Sequence, residues 1–441
     1  MLTVEDIQRF TQKALAFSTF PDCSVSITSI EETYTRFANN GITMAGFSTR
    51  NRIAIESTRD GKTGTARIGE TGGDAVRAVV QRSEELAALS PVNPEHLAPL
   101  GPQQYRETND YDDATANARA AEIIPRVRAA VEIVERQKLV AAGLFERTHQ
   151  VTGIANKAGL FGFHRSADAH MSTTVRLPDG SSSGWAGHPA TRIAEIDGGR
   201  LAETAAKKCL AWKNPRRLDP GRYTVVLEPT AAGDIVQLIE GGFPARATEE
   251  GRTFLSRRGG GTLAGEKLFP DFIDLHTDPF DPRMPSLPWT FDRLPTRRIS
   301  WIEKGIVKNL DYDRYWSEKS GKPATPGLRP LYLEGGGASM EDLIGSVDRG
   351  LLVTHFWYIR FVNPKTLQHT GLTRDGLFLI ENGKISAPVM NFRFNDSPVR
   401  LLQNAKKLGK PVRVRGLEGG MMVAPAILAD DFQFTSISDA V

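Results

Sequence analysis

One short pattern in the sequence could supply a nucleophile. Gly180-Ser181-Ser182-Ser183-Gly184 fits the Gly-x-Ser-x-Gly pattern of serine hydrolases, in which the serine lies on a strained turn between a strand and a helix. Asp179-Gly180 follows a strand-like segment, but Gly184, Gly187 and Pro189 occupy the place where the helix would have to begin. We therefore predict the tip of a hairpin here and no nucleophile.

A second pattern contains possible metal ligands. His164, Asp168 and His170 are separated by even intervals, so a strand would turn all three to one face. Arg165 and Ala169 weaken the strand pattern, and no further ligand is evident nearby, as a metal site would require. We predict hydrogen-bonded or solvated histidines. The other histidines considered are isolated in the sequence, namely His188, His355 and His369.

The composition is that of an ordinary globular chain. Hydrophobic residues make up 40% and charged residues 24% of the 441 residues, which excludes an intrinsically disordered protein. The net charge of +3 creates no global field that would attract nucleic acid or anionic lipid. No stretch approaches the ~20 consecutive apolar residues of a membrane span. The acidic start over residues 1–7 differs from a secretory signal, and two cysteines cannot form a disulfide framework, so we expect a cytoplasmic location.

A basic segment near the C-terminus could be a nucleic-acid patch. Residues 393–415 contain seven basic residues and one acid, Asp396. No aromatic residue is interleaved with them after Phe394, as nucleic-acid binding would favour. We predict instead the solvated face of one helix and an edge strand whose charges oppose aggregation.

The first half predicts helices and an antiparallel meander. Residues 74–89 and 114–138 have helical periodicity, and Pro125 should begin or kink the second helix. Residues 139–188 form short apolar segments separated by Gly, Asn and Asp-Gly, which is typical of short antiparallel strands. Asp197 is a good N-cap for a further helix. The turn-rich segment 213–221 indicates a domain boundary.

The second half predicts mainly strands. A strand over Tyr223–Leu227 precedes a helix that begins at Pro229, and Asn382-Gly383 predicts a tight hairpin. A late helix is predicted from Ser397 through Leu408. We predict an α+β fold in two domains: a mixed helix and antiparallel-sheet domain over residues 1–215, and a strand-dominated domain over residues 216–441.

Several segments of the second half, in this order, resemble one known family. They are Gly221–Pro229, Leu238–Phe243, Leu310–Trp316, Asp348–Thr354, Thr370–Gly376, Ile380–Ile385 and the tail Phe434–Val441. In combination they resemble the TldD/PmbA family. In the first half, Asp179–Trp185 is similar to the family's N-terminal domain, and the turn Asp60–Gly64 is compatible with it.

The resemblance implies one of two kinds of subunit. TldD-type chains resemble zinc metallopeptidases with an H-E-x-x-x-H helix and a distant cysteine ligand, whereas PmbA-type chains, also called TldE, lack these groups. Alignment on Glu240-Gly241 places Ala232 and Gln237 at the two histidines and Gly233 at the glutamate. The segment 415–420, where the cysteine is expected, contains none. We therefore expect a PmbA-like chain with no catalytic residues and no metal of its own, and zinc only in a TldD-type partner.

The leading hypothesis is a non-catalytic subunit of a TldD-type zinc metallopeptidase that processes peptides. The expected partners are a TldD-type chain or a second copy of this chain, and a peptide; no membrane and no nucleic acid are expected. Glu240, Arg374 and Asp375 are the predicted peptide- or partner-binding residues. Two alternatives stay open. One is an active hydrolase with a relocated metal site that uses His355 or His369, and the other is a stand-alone protein that binds a macromolecule, as the older association of PmbA with DNA gyrase suggests.

Overall fold

The computed structural model describes residues 1–325, 327–416 and 420–439, which adopt an α+β fold as predicted. Leu417, Glu418 and Gly419 lie outside the described residues, and they form half of the segment in which the family's cysteine was expected. Ala440 and Val441, at the end of the tail motif, also lie outside. None of the helices in the described part of the chain is long and apolar enough to span a membrane.

The N-terminal domain is built on one six-stranded antiparallel sheet in the order β3-β2-β1-β4-β5-β6. Its strands are β1 (Asp22–Ala38), β2 (Gly41–Arg59), β3 (Lys62–Ile68), β4 (Val140–Asn156), β5 (Phe161–Arg176) and β6 (Ser183–Ala190). Its helices are α1 (Val4–Phe17), α2 (Gly73–Leu89), α3 (Asp113–Asn117), α4 (Ala120–Arg136) and α5 (Gly198–Ala211).

The strands of the meander are longer than predicted. β4 and β5 run for 17 and 16 residues, where the sequence suggested several short segments. Residues 149–151 and 165–170, where the sequence pattern suggested breaks, continue the pairing of β4 with β5 without interruption. Two glycines inside β4 are points of close packing. A Cβ on Gly143 would lie 2.5 Å from the Phe37 ring, and one on Gly153 would lie 2.1 Å from Ile7 Cγ2. Glycine inside a strand marks a close approach as often as a turn, and here it marks the former.

The predicted helix over 114–138 is two helices. α3 ends at Asn117, and α4 begins at Ala120, where the Glu122 carboxylate accepts a hydrogen bond from the Arg119 N–H. Pro125 neither starts nor ends α4 and lies within its second turn. Two other helix predictions in this domain are confirmed: α2 covers 73–89, and the Asp197 side chain caps α5 by accepting from the Arg200 N–H.

The N-terminal domain contains the same arrangement twice. α1-β1-β2-β3-α2 is followed, after α3, by α4-β4-β5-β6-α5, and β1 and β4 pair at the centre of the sheet. In both halves the short third strand covers only part of the long second strand. β3 pairs with Ile53–Arg59 of β2, and β6 pairs with Ala169–Arg176 of β5. Within the described residues, the first part of β2 and of β5 therefore has no strand on its outer side.

The C-terminal domain contains two sheets. Its strands are β7 (Arg222–Leu227), β8 (Leu275–Thr277), β9 (Ile299–Glu303), β10 (Ile306–Val307), β11 (Leu331–Leu333), β12 (Arg349–Val353), β13 (Phe356–Asn363), β14 (Gln368–Thr373), β15 (Leu377–Glu381), β16 (Lys384–Pro388), β17 (Phe392–Asp396), β18 (Ala405–Leu408), β19 (Val412–Arg415), β20 (Met421–Ala424) and β21 (Ile427–Ile437). One sheet has the order β10-β9-β8-β11-β20-β19, and the other has the order β13-β14-β17-β21-β7-β12-β15-β16, with β18 paired to β21.

Short helices connect these strands. They are α6 (Pro229–Val236), α7 (Ala245–Glu249), α8 (Arg314–Ser320), α9 (Met340–Gly345) and α10 (Pro398–Gln403), and a 3₁₀ turn over Gln237–Gly242 extends α6. The hairpin at Asn382-Gly383 is confirmed, with positive φ at both residues. The helix predicted through Leu408 is wrong beyond Gln403. Ala405 and Leu408 are buried and pair with β21, so burial of these two side chains favours a strand.

Direct contacts join the two domains. The segment 212–221, which contains the predicted boundary after residue 215, connects α5 with β7. Trp212 Nε1 donates to the Val389 carbonyl at 2.8 Å, and Lys208 Nζ lies 2.6 Å from Glu228 Oε2. The domains therefore share a polar and aromatic junction, and on another side they leave a cleft between them.

Candidate functional site

A cleft of about 840 Å³ lies between the N-terminal sheet and the C-terminal domain. β1, β4 and β5 supply one wall. The 3₁₀ turn after α6, the loop 284–291 and Arg413 on β19 supply much of the other. A cleft of this size between domains is a common place for ligand binding.

The sheet wall carries a polar stripe. Thr28 on β1 pairs with Thr152 on β4, and Thr152 pairs with His164 on β5, so all three lie on one face. Ser166 and Asp168 follow His164 at alternate positions and line the same cleft. The intervening Ala167 and Ala169 are buried on the opposite face. The even spacing of His164 and Asp168 therefore does place them together, on a cleft wall.

Two carboxylates accompany this stripe. Asp110, from the loop before α3, places Oδ2 at 3.4 Å from His164 Nε2. Burial raises the pKa of Asp110, against the opposing effect of His164. Burial raises the pKa of Asp168 to about 6, with Arg413 opposing the shift and Asp110 adding to it. Both carboxyl groups therefore lie where water solvates a negative charge poorly.

The opposite wall has its own acids. Glu240 Oε2 accepts a hydrogen bond from Arg329 Nε at 3.0 Å, and burial raises the pKa of Glu240 despite this partner. Asp311 accepts from Thr325 Oγ1 at 2.9 Å, and burial raises its pKa too. Of the three predicted binding residues, Glu240 is the one that the structure places in the cleft wall.

Aromatic side chains border the cleft on loop 284–291. Trp289 is buried against Tyr105, with ring centroids 5.1 Å apart, and Tyr105 Oη donates to the Arg293 carbonyl. Phe291, two residues further on, is fully exposed at 102% relative exposure. The loop therefore presents one anchored and one uncovered aromatic ring to the cleft.

The positions that match the family's metal motif do not fit zinc. Ala232 is fully buried and has no ligand atom, and a Cβ on Gly233 would lie 2.7 Å from Val414 Cγ2. The Gln237 amide oxygen already accepts from the Gly420 N–H at 2.9 Å. Zinc sites in proteins use thiolate, imidazole or carboxylate groups, and these three positions supply none.

His355 and His369, named for a relocated metal site, are buried in separate surroundings. His355 stacks on Trp185 with centroids 4.6 Å apart, and its Nδ1 lies 3.2 Å from Asp375 Oδ2. His369 Nδ1 lies 2.7 Å from the Leu367 carbonyl. In the part of the chain that the structure describes, no three His, Cys, Asp or Glu side chains are grouped as a metal site would need.

Asp375 and Arg374 lie at the domain junction. Asp375 is 4% exposed, and its Oδ1 accepts from Ser183 Oγ at 2.7 Å. Burial acts to raise the pKa of Asp375, but the hydrogen bond and charge of His355 outweigh it and lower the pKa. Arg374 stacks over the Trp357 ring at 4.8 Å. The Asp375 carboxylate is thus engaged within the chain, and a binding role for both residues stays a prediction.

The serines of the Gly-x-Ser-x-Gly pattern have structural contacts. The central Ser182 is buried and donates to the Cys209 carbonyl, and the segment forms the β5–β6 hairpin as predicted. Ser183 places its hydroxyl on Asp375 and not on a histidine. A hydrolytic triad requires a histidine beside the serine, so this arrangement cannot activate either hydroxyl.

Sequence reasoning missed Asp110 and Arg413 as parts of the cleft. Asp110 lies in a loop without periodicity, and Arg413 was considered only as one member of the basic segment. β19 is an edge strand as predicted, but Arg413 Nη1 donates to Thr191 Oγ1 at 2.7 Å and Arg415 pairs with Glu146. These two arginines therefore contact the N-terminal domain. The alternation of polar and small residues from Ser166 to Ala169 was the available signal for this cleft wall.

Comparison with known proteins identifies the family. Residues 220–436 match the family described as the PmbA/TldA metallopeptidase C-terminal domain. No curated protein matches the chain. Three crystal structures share its fold:
TldE from Thermococcus kodakarensis (19% identity, 97% of this chain and 99% of that chain, TM-score 0.82), a proposed modulator of a DNA gyrase from Thermotoga maritima (19%, 98% and 100%, 0.83), and a proposed modulator of DNA gyrase from Bacteroides thetaiotaomicron (17%, 99% and 100%, 0.84). The three structures show a shared fold, and the match over residues 220–436 shows that the chain belongs to the TldD/PmbA family.

Proposed function

We propose that this chain is a non-catalytic, PmbA/TldE-like subunit of a TldD-type zinc metallopeptidase, and that its interdomain cleft receives part of the peptide. One observation carries the proposal. Ala232, Gly233 and Gln237 occupy the positions of the family's catalytic motif and supply no thiolate, imidazole or carboxylate for zinc. A Cβ on Gly233 would already lie 2.7 Å from Val414 Cγ2, and Gln237 is bonded to Gly420.

The partner in this proposal is a TldD-type chain, which would supply the zinc and the catalytic glutamate. The likeness to TldE from Thermococcus kodakarensis supports this choice over a second copy of the same chain. We further propose a cytoplasmic complex, because both cysteines of this chain, Cys23 and Cys209, are free and buried.

The test measures zinc and peptide cleavage on the same samples. The chain is purified alone, and also after co-expression with a TldD-type chain from the same genome. We expect no stoichiometric zinc and no cleavage from the chain alone. We expect about one zinc ion per heterodimer and chelator-sensitive cleavage from the complex. A matched control carries Gln in place of the partner's motif glutamate, and this complex should assemble without cleaving.

Two results would overturn the proposal. About one zinc ion bound by the isolated chain, with cleavage that a chelator abolishes, would show an active enzyme with a metal site elsewhere. A chain that never associates with a TldD-type chain would favour the stand-alone binding protein. The descriptions of two similar structures as gyrase modulators favour that second candidate, and a pull-down with purified gyrase subunits tests it.

A further inference from the structure

The cleft contains more negative than positive side chains. Its lining includes the acids Asp110, Asp168, Glu240 and Asp311 and the two arginines Arg329 and Arg413. Arg329 is bonded to Glu240. Arg413 Nη1 donates a hydrogen bond to Thr191 Oγ1, and Arg413 Nη2 lies 3.2 Å from Met421 Sδ. Both cations are therefore held by groups of the chain, and they do not neutralise all four acids.

Of these four acids, Asp168 has the fewest contacts that stabilise a negative charge. The described residues include neither a hydrogen-bond donor nor an ion-pair partner within bonding distance of its carboxylate, although Arg413 acts on it from further away. Its burial at the cleft wall raises its pKa to about 6. An ionised carboxylate in such a place is stabilised by a cation that reaches it from the cleft.

Phe291 supplies a second and independent feature. Its ring is fully exposed and lines the same cleft, so the apolar surface of a whole phenylalanine side chain is in contact with water. The same loop contains Pro285 and Pro288, which restrict its backbone, and Trp289 is anchored against Tyr105. Aromatic faces beside carboxylates form sites for organic cations, since the ring attracts the charge and covers the alkyl stem.

We propose that the cleft binds the cationic side chain of a lysine or arginine in a peptide, with Asp168 as its charge partner and Phe291 over its alkyl stem. This inference rests on the proposed function and deepens it, because it gives the chemical class of the peptide. The cleft volume of about 840 Å³ accommodates a few residues on either side of the basic one. A peptide amino terminus has the same ammonium chemistry, so the test separates these two sources.

The test measures binding of short fluorescent peptides to the full chain by anisotropy, without any protease. The probes are N-acetylated alanine peptides with a central lysine, norleucine or glutamate, and a norleucine peptide with a free amino terminus. We expect the lysine peptide to bind at least about tenfold more tightly than the other three, because the charge-assisted bond to Asp168 is absent from them. Added salt should weaken this binding.

Three variants assign the effect to residues. Asp168→Asn keeps the shape and should remove the preference for lysine, a loss of about tenfold in affinity. Phe291→Ala changes a fully exposed side chain, cannot disturb the core, and should weaken the lysine peptide about threefold. Asp219→Asn removes the same charge from an exposed position outside the cleft and should leave the affinity unchanged.

Other outcomes overturn the inference. Equal binding of lysine and norleucine peptides, or preference for glutamate, would show that the acids do not select the ligand. Preference for the free amino terminus would assign the ammonium to the peptide backbone and not to a side chain. A normal lysine preference in Asp168→Asn would place the site elsewhere. Each of these results leaves the zinc and cleavage test of the subunit hypothesis untouched, so the two can fail separately.

Discussion

Asparagine in place of Asp168 should make the folded chain more stable at neutral pH. The folded-state pKa of about 6 lies above the ordinary value of 3.8, so ionisation of this carboxyl opposes folding. The difference corresponds to about 3 kcal/mol at a pH well above 6. Because the cleft admits water to this half-buried side chain, we expect about 1–2 kcal/mol.

The pH dependence has a definite direction. Between about pH 4 and pH 6 the folded chain binds more protons at Asp168 than the unfolded chain does, so its contribution to stability falls as the pH rises through this window. The unfavourable contribution is complete above pH 6 and absent below pH 4. The variant should therefore exceed the wild type in free energy of unfolding at pH 7.5, and the two should converge near pH 4.

Urea denaturation of both proteins between pH 4 and pH 8 measures this difference, with Asp219→Asn as the control for loss of an exposed carboxylate. Arg413, Arg415, Asp110 and Glu146 also influence Asp168, and they are present in both proteins. A variant that is less stable than the wild type at pH 7.5, or a difference that does not change with pH, would refute the reasoning. In that case Asp168 would be well paired, and a ligand would not be needed to stabilise its charge.

Three further predictions concern the junction and the motif helix. Asp375→Asn should lower the free energy of unfolding by about 1.5–3 kcal/mol at pH 7, since it removes the charge bonded to His355, and urea titration measures this loss. Gly184→Ala should destabilise the chain severely, because the added Cβ would lie 2.2 Å from the carbonyl oxygen of residue 205. Gly72→Ala should be nearly neutral, because the space around Gly72 is open. Thermal melting followed by circular dichroism compares the two variants. Gly233→Glu, which restores the family's glutamate, should cost about 1–3 kcal/mol by overpacking against β19 and should not confer zinc binding in elemental analysis.

Elements with strong local signals were predictable from the sequence. The period of α2, the Asp197 cap of α5 and the Asn382-Gly383 turn each depend on neighbouring residues, and all three are confirmed. The full length of β4 and β5 was not, because residues 149–151 and 165–170 are held in the sheet by pairing with the neighbouring strand. These residues form no apolar run, so the local sequence suggested breaks there.

The cleft was predictable only in part, for a similar reason. Alternation along β5 indicated that His164 and Asp168 share a face, and the family alignment drew attention to Glu240. Their approach to each other depends on how the two domains dock, and no local pattern encodes that. Asp375 shows the same limit, since no local pattern indicated that contact with Ser183 of the other domain would bury it.

The repeated halves of the N-terminal domain give its sheet two equivalent open margins at opposite ends. The margin on β5 borders the cleft, where the Ala167 N–H bonds to the Asp110 carbonyl. The margin on β2 exposes Ile42, Met44 and Phe47, none of which lines the cleft. A protein that added a strand to the β2 margin would leave the cleft entrance unobstructed. In this architecture a strand added to the first part of β2 and a ligand in the cleft would occupy different residues of the chain.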